Sequence, residues 1–100
     1  KLTKIKKNLN FIENHQLGEF LGIMKLSGVG SKKFLDVFER LNSSHEGKFH
    51  DAPSFQKAYL TDMIDELIQT NEVVNPIFID GVWFEIDTIE DLKNIREKIN

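Results

Sequence analysis

Cysteine is absent from the 100-residue sequence, which excludes disulfide bonds and thiolate metal sites and fits a reducing compartment. No apolar run reaches the roughly 18–20 residues that a membrane-spanning helix needs. Basic residues do not form the excess that nucleic-acid binding requires, since 13 Lys and Arg stand against 16 Asp and Glu. We therefore expect a cytoplasmic protein that binds neither nucleic acid nor membrane.

The composition is that of an ordinary globular domain, because 40% of the residues are hydrophobic and no segment is of low complexity. A length of 100 residues allows one domain, spanning residues 1–100. The first residue is Lys1 rather than Met. We therefore expect a piece of a larger protein or a processed chain.

Apolar periodicity predicts interleaved strands and helices. The predicted strands span residues 1–9, 18–26, 72–79 and 82–86. The predicted helices span residues 32–41 and 55–70, and a last helix starts at Thr88. The order β-β-α-α-β-β-α favours a layered α/β or α+β arrangement.

Local signals refine these boundaries. Ser54 is positioned to cap the second helix, and Thr88 with Asp91 three residues later resembles a capping box with Asp in place of Glu. Gly18 and Gly22 weaken their predicted strand, so we expect another group to approach the backbone closely there.

Residues 81–88 (GVWFEIDT) carry the strongest chemical pattern. Strand alternation places Trp83, Glu85 and Asp87 on one face, where two carboxylates suit Mg²⁺. The alternative is a solvated face in which Asp87 only favours the start of the following helix. The pattern alone favours this alternative.

The remaining ionic features are weaker. The first strand carries four lysines that either contact phosphate or keep an edge strand soluble: Lys1, Lys4, Lys6 and Lys7. His45 and His50, with Glu46 and Asp51 beside them, give a less favoured metal site, since no cysteine and no helical His pair supports it.

Four segments together resemble the C-terminal half of nucleotidyltransferases of the nucleotide-diphospho-sugar transferase fold. They are residues 5–9 (IKKNL), 18–23 (GEFLGI), 57–62 (KAYLTD) and 81–92 (GVWFEIDTIEDL). The segments resemble those of phosphocholine and 2-aminoethylphosphonate cytidylyltransferases, and sugar-phosphate nucleotidyltransferases share the same ground plan. The resemblance implies a three-layer α/β fold with a mixed sheet flanked by helices.

The resemblance also implies a reaction. A phosphate or phosphonate oxygen of a small acceptor attacks the α-phosphorus of a nucleoside triphosphate, expected to be CTP, and pyrophosphate leaves. Asp87 matches a family ligand of Mg²⁺, and Glu85 is the neighbour expected to assist it. Lys7 matches the lysine that steadies the reacting phosphates, with Lys6 as the alternative.

The acceptor pocket follows from the same resemblance. Glu19 and Trp83 are expected to line it, and Tyr59 and Asp62 either support its wall or pack the long helix. The family's glycine-rich nucleotide loop and first metal-binding acid are missing. We therefore expect the acceptor-side C-terminal part of an enzyme, inactive alone, whose exposed sheet edge pairs with a second copy or aggregates.

A different class of function is a small non-catalytic α/β domain that binds or interacts with a partner. In that case the last strand and helix only resemble the enzyme family.

Overall fold

The structure is a computed structural model that describes residues 1–6, 9–10, 13–81 and 83–99. Within these ranges the chain forms three α-helices and one short 3₁₀ helix. They are α1 (Gly28–Ser44), the 3₁₀ helix (Phe55–Lys57), α2 (Leu60–Gln69) and α3 (Ile89–Ile99). No helix in the described part of the chain is long and apolar enough to cross a membrane.

The α/β prediction is wrong, because no described residue belongs to a β-strand. The mixed sheet of the nucleotide-diphospho-sugar transferase fold, with its three layers and its β-β-α-α-β-β-α order, is therefore not the fold of this chain. The β pairing that the described residues show is an isolated antiparallel bridge between Phe49 and Ala52. The four predicted strand segments are instead extended or irregular backbone wherever they are described.

The physical reason is that a strand depends on a partner, whereas its sequence pattern is local. The N–H of Leu2 donates to the carbonyl of Val74 at 2.7 Å, but this contact does not extend into a ladder. The Phe78 ring lies against Gly18, where an added Cβ would approach a ring carbon to 3.0 Å. The close approach expected at Gly18 and Gly22 is thus confirmed at Gly18, where its cause is a side chain, and is wrong at Gly22, where an added Cβ would meet nothing within 4 Å.

Helix α1 begins four residues before the predicted start. The Ser27 hydroxyl accepts a hydrogen bond from the N–H of Gly30 at 2.9 Å, so Ser27 caps the helix. Gly28 and Gly30 therefore lie in the first turn of α1, although glycine is more typical of loops. The helix ends at Ser44, and the next N–H, of His45, still donates to the carbonyl of Leu41.

Helix α2 is shorter than predicted and is not capped by Ser54, whose side chain makes no capping hydrogen bond. The 3₁₀ turn comes first, and α2 begins after Tyr59. The Tyr59 N–H donates to the Asp62 carboxylate at 2.9 Å, which satisfies one donor at the helix start. Asn71, with a φ of 70°, follows the C-cap Thr70.

Aromatic rings from α1 and the loop after it form the core. Phe49 is 2% exposed, and its ring centroid lies 5.1 Å from that of Phe55, which is 5.4 Å from that of Phe38. The buried cluster consists of Leu41, Phe49, Phe55 and Met63, with Phe34, Val37 and Ala58 packed against it. This core fixes the loop 45–58 between α1 and α2.

Much apolar surface lies outside this core. The accessible surface is 8389 Å², whereas a compact protein of 11.6 kDa has about 5,800 Å². The radius of gyration is 16.5 Å, against about 13 Å for a compact 100-residue domain. Ile23 and Ile77, on two of the predicted strands, are 82% and 88% exposed. The extended segments therefore leave their apolar side chains in solvent.

Candidate functional site

The junction between residues 83–88 and α3 carries the predicted metal ligands. Asp91 accepts hydrogen bonds from the N–H groups of Asp87 and Thr88, both at 3.1 Å. The N–H of Asp91 donates in return to the Thr88 hydroxyl at 3.0 Å. This reciprocal pair is the predicted capping box, which is thus confirmed, and it fixes the backbone on which Asp87 is carried.

The cap also perturbs Asp91. Hydrogen bonds from the Asp87 N–H first, then from the Thr88 side chain, lower the pKa of Asp91 from its ordinary value of 3.8. Desolvation opposes this shift, and the Thr88 N–H adds to it. These donors favour the carboxylate, as does the positive end of the helix dipole. The Asp91 carboxylate is therefore occupied by hydrogen bonds that cap α3.

The carboxylates of Glu85 and Asp87 have a different environment. Both residues are exposed and, among the described residues, neither side chain takes part in a hydrogen bond or an ion pair. Trp83 is 43% exposed on the same extended backbone, and the Phe84 ring lies 5.9 Å from the Lys98 ammonium of α3. The three predicted residues thus lie on one exposed segment anchored at both ends.

These residues fit a hard divalent cation only in part. Mg²⁺ is commonly bound by one or two carboxylates and keeps waters or phosphate oxygens as its other ligands. Glu85 and Asp87 supply two such carboxylates. No group of three or more potential metal ligands lies together in the described residues. A complete cage of protein ligands is therefore not present there, whereas a two-carboxylate site that is open to phosphate is chemically compatible.

Other predicted residues are more scattered. Lys7, the predicted catalytic lysine, lies outside the described residues. Lys6, its alternative, is exposed. Glu19 is also exposed, and no hydrogen bond or ion pair in the described part of the chain connects it to Trp83. The acceptor pocket of Glu19 and Trp83 therefore stays a prediction.

Tyr59 and Asp62, in contrast, lie together at the start of α2. They border a cavity of about 280 Å³ between this helix and the preceding loop. Its lining consists of Asp51, Ala52, Pro53, Lys57, Tyr59, Thr61 and Asp62. Asp62 is 5% exposed, and its two oxygens accept the N–H groups of Asp51 and Tyr59 at 3.2 and 2.9 Å. Asp62 therefore both caps α2 and forms the floor of the cavity.

A second polar cluster surrounds Asp65, which is 3% exposed on the buried face of α2. Nδ1 of His50 lies 3.3 Å from the Asp65 carboxylate, and its Nε2 lies 2.9 Å from that of Glu66. The Lys4 ammonium lies 3.6 Å from Asp65, and Gln69 donates to it at 3.4 Å. The cluster links the N-terminal segment and the loop 45–58 to α2.

This cluster does not form the metal site considered for the histidines. The two nitrogens of His50 face different carboxylates, so one ion cannot take both acids through the ring. His45 lies instead with Nε2 3.0 Å from the carbonyl of Lys48, and its ring centroid is 5.2 Å from that of Phe49. The His50 ring instead bridges Asp65 and Glu66, which is a structural arrangement.

One feature of the sequence relates to the buried carboxylates Asp62 and Asp65. Asp62 and Asp65 are three residues apart, so they share one side of α2, and the apolar residues Met63 and Ile64 between them lie on the other side. Carboxylates at such positions are rarely buried unless they are paired. The charged partners of Asp65 are Lys4 and His50, which lie 61 and 15 positions away and could not be read from the helix itself.

Comparisons with models of known protein families, with curated proteins and with solved structures find no match for this chain. The resemblance to nucleotidyltransferases therefore remains a prediction that rests on the sequence segments themselves. The structure contributes the geometry of the residues in those segments.

Proposed function

We propose that this chain is part of a Mg²⁺-dependent nucleotidyltransferase that transfers a nucleotidyl group, expected to be cytidylyl, to a small phosphate or phosphonate acceptor. The proposal rests on residues and not on the fold, since the predicted sheet is wrong for this chain. The nucleotide-binding half has no counterpart in the sequence, so this chain is not expected to catalyse the reaction alone.

The proposal rests on the surroundings of the Glu85 and Asp87 carboxylates. Their carboxylates are exposed and, in the described part of the chain, unpaired, although Asp91 four residues later is fully engaged in the cap. A residue that only initiates a helix would be expected to use its side chain at the cap, as Thr88 and Asp91 do. Asp87 contributes only its N–H there, which leaves its carboxylate available to a ligand.

The chemistry of each group follows from its charge. Asp87 and Glu85 bind Mg²⁺, which, when bound, neutralises the phosphate charge of the nucleotide. Lys7, or Lys6, steadies the anionic phosphates as charge moves to the leaving pyrophosphate. The acceptor oxygen forms a bond to the α-phosphorus as the bond from that phosphorus to the bridging oxygen breaks.

Pyrophosphate release by the full-length product of the parent gene tests the proposal. CTP is supplied with phosphocholine, 2-aminoethylphosphonate or a sugar 1-phosphate in turn. Asp87→Asn is expected to lower kcat at least about 100-fold through the loss of one metal ligand. The control is Asp80→Asn, a nearby exposed carboxylate outside the cap. Equal activity in the two variants, or no pyrophosphate with any acceptor, would contradict the proposal.

A second candidate is a non-catalytic interaction module, which the uncovered apolar surface favours. The expected partner is a second copy of this chain. The described residues offer no sheet edge for this contact, so the apolar side chains of residues 73–79 replace it as the proposed surface. The oligomeric state of the purified chain tests this candidate separately from the enzyme assay.

A further inference from the structure

A second cavity lies between α1, the 3₁₀ helix and α2, and its volume is about 180 Å³. Four phenylalanine rings line it together with residues of α2: Phe34, Phe38, Phe49 and Phe55. Phe49 and Phe55 are 2% and 8% exposed, whereas Phe38 is 42% exposed. The cavity therefore has a buried floor and an open mouth.

The walls of this cavity are held in place by contacts within the chain. The Phe55 ring lies against those of Phe38 and Phe49, with centroid separations of 5.4 and 5.1 Å. The N–H of Ala58 donates to the carbonyl of Phe55 at 3.1 Å, and Phe49 and Ala52 exchange two backbone hydrogen bonds. The cavity is thus formed without a ligand, as most small-molecule sites are.

The chemistry of the lining selects the class of ligand. In the described part of the chain no charged side chain borders the cavity, and Tyr59 is the one lining residue whose side chain carries a polar atom. A charged ligand would lose its hydration there without gaining an ion pair, so a neutral ligand is favoured. Met63 and the phenylalanine rings favour an aromatic ligand over a saturated one, because ring–ring and sulfur–ring contacts add to the burial of apolar surface.

We infer that this cavity binds a small neutral aromatic molecule with one ring. An apolar cavity of about 150 Å³ is large enough for benzene, and a cavity of about 180 Å³ leaves room for a small substituent. A drug-sized ligand needs about 300–1,000 Å³. The inference does not depend on the proposed nucleotidyl transfer, since Glu85, Asp87 and Lys6 lie outside this lining.

Titration of the 100-residue chain with phenol, followed by NMR of its methyl groups, tests this inference. We expect saturable shifts of the Ala58, Leu60 and Met63 methyl signals, with a Kd of about 1 mM, and intermolecular NOEs from phenol to these groups. The methyl signals of Ile23 and Ile77, which are exposed and lie outside the lining, should not shift. This comparison separates the cavity from general binding to apolar surface.

Two further probes test the class of ligand. Cyclohexanol has the size and the hydroxyl of phenol but no aromatic ring, and should bind at least about threefold more weakly. Benzoate keeps the ring but carries a charge, and should bind at least about tenfold more weakly.

Variants of the lining test the location. Ala58→Leu places a larger side chain at the cavity, and Phe38→Leu removes a wall ring at a partly exposed position while keeping an apolar side chain. Each should weaken phenol binding at least about threefold. Leu35→Ala, at an exposed residue of α1 outside the lining, is the control and should leave the Kd unchanged. Thermal unfolding by circular dichroism shows beforehand that each variant is folded.

Three results would overturn the inference. They are no saturable shift of the cavity methyl signals below about 10 mM phenol, cyclohexanol binding as tightly as phenol, and equal effects of Phe38→Leu and Leu35→Ala. Shifts of the same signals that follow the concentration of the chain, with no ligand added, would place a second copy in the cavity and would also overturn it.

Discussion

At the level of single residues, Asp65 shows how this small chain holds a buried charge. Its carboxylate is 3% exposed and is met by the His50 ring, the Lys4 ammonium, the Gln69 amide and the Ile5 N–H. The partners of a buried carboxylate compensate for the free-energy cost of removing it from water. When one partner is removed, part of that cost is no longer compensated. The strongest effect is expected at His50, because it also contacts Glu66.

His50→Asn should therefore destabilise the fold by roughly 1–3 kcal/mol, since Asn cannot contact both carboxylates. Asn tolerates the positive φ of 51° at this position, so backbone strain does not confuse the result. Urea unfolding measures the change. His15→Asn, at an exposed residue with a single hydrogen bond to Glu13, is the control and should stay within about 0.5 kcal/mol. Equal effects of the two substitutions would contradict the role of His50.

At the level of elements, α3 is the helix whose start depends most on residues close to it in the sequence. Its cap uses Thr88 and Asp91, three residues apart, and needs nothing from the rest of the chain. Because the folded-state pKa of Asp91 is lowered, its contribution to stability is present above pH 3.8, and it is lost as the pH falls through the folded-state value. The start of α3 is therefore sensitive to acid.

We predict that acidification to about pH 2 frays residues 89–92 of the wild-type chain. Cα chemical shifts across the pH range measure this loss. Asp91→Asn should lower the helicity of these residues already at neutral pH and flatten the pH profile. Glu90→Gln changes a neighbouring acid that has no capping hydrogen bond and should keep the wild-type profile. A profile flattened equally by both substitutions would contradict the assignment of the cap to Asp91.

The contrast between α3 and the predicted strands shows what a sequence of this kind can indicate. The capping box was predictable because both partners lie within one helical turn. The early start of α1 was missed because Gly28 and Gly30 favour a loop, although Ser27 supplies a cap that makes their first turn helical. The strand predictions were wrong because alternation describes one segment, whereas a sheet needs aligned partners.

The candidate site follows the same rule. Glu85 and Asp87 were predictable as a pair, because residues two apart on extended backbone share a face. The approach of Asp51 to Asp62 was not predicted. This contact folds the loop 45–58 against α2, and no local pattern encodes it.

At the level of the whole molecule, the uncovered apolar surface is the dominant feature. The total accessible surface exceeds that of a compact protein of this size by about 2,500 Å², and Ile23 and Ile77 are among the large apolar side chains in it. Burial of the apolar part of this surface would favour an association. The chain is therefore expected to associate as its concentration rises.

Ile77→Lys tests this expectation on residue 77, which is 88% exposed and so contributes little to the fold of one chain. Sedimentation velocity should show concentration-dependent dimers for the wild type and at least about tenfold weaker association for the variant. Val29→Lys, at a 68% exposed residue of α1, is the matched control. A wild-type chain that stays monomeric, or equal behaviour of the two variants, would contradict the proposed surface.

Paramagnetic broadening by Mn²⁺ tests most directly whether Asp87 and Glu85 bind a divalent cation. Mn²⁺ shares the preference of Mg²⁺ for oxygen ligands. We predict that low Mn²⁺ selectively broadens the amide signals of residues 85–88, that Mg²⁺ reverses the broadening, and that Asp87→Asn abolishes it while Asp80→Asn does not. Broadening that is centred on other carboxylates, or that persists in Asp87→Asn, would contradict the claim.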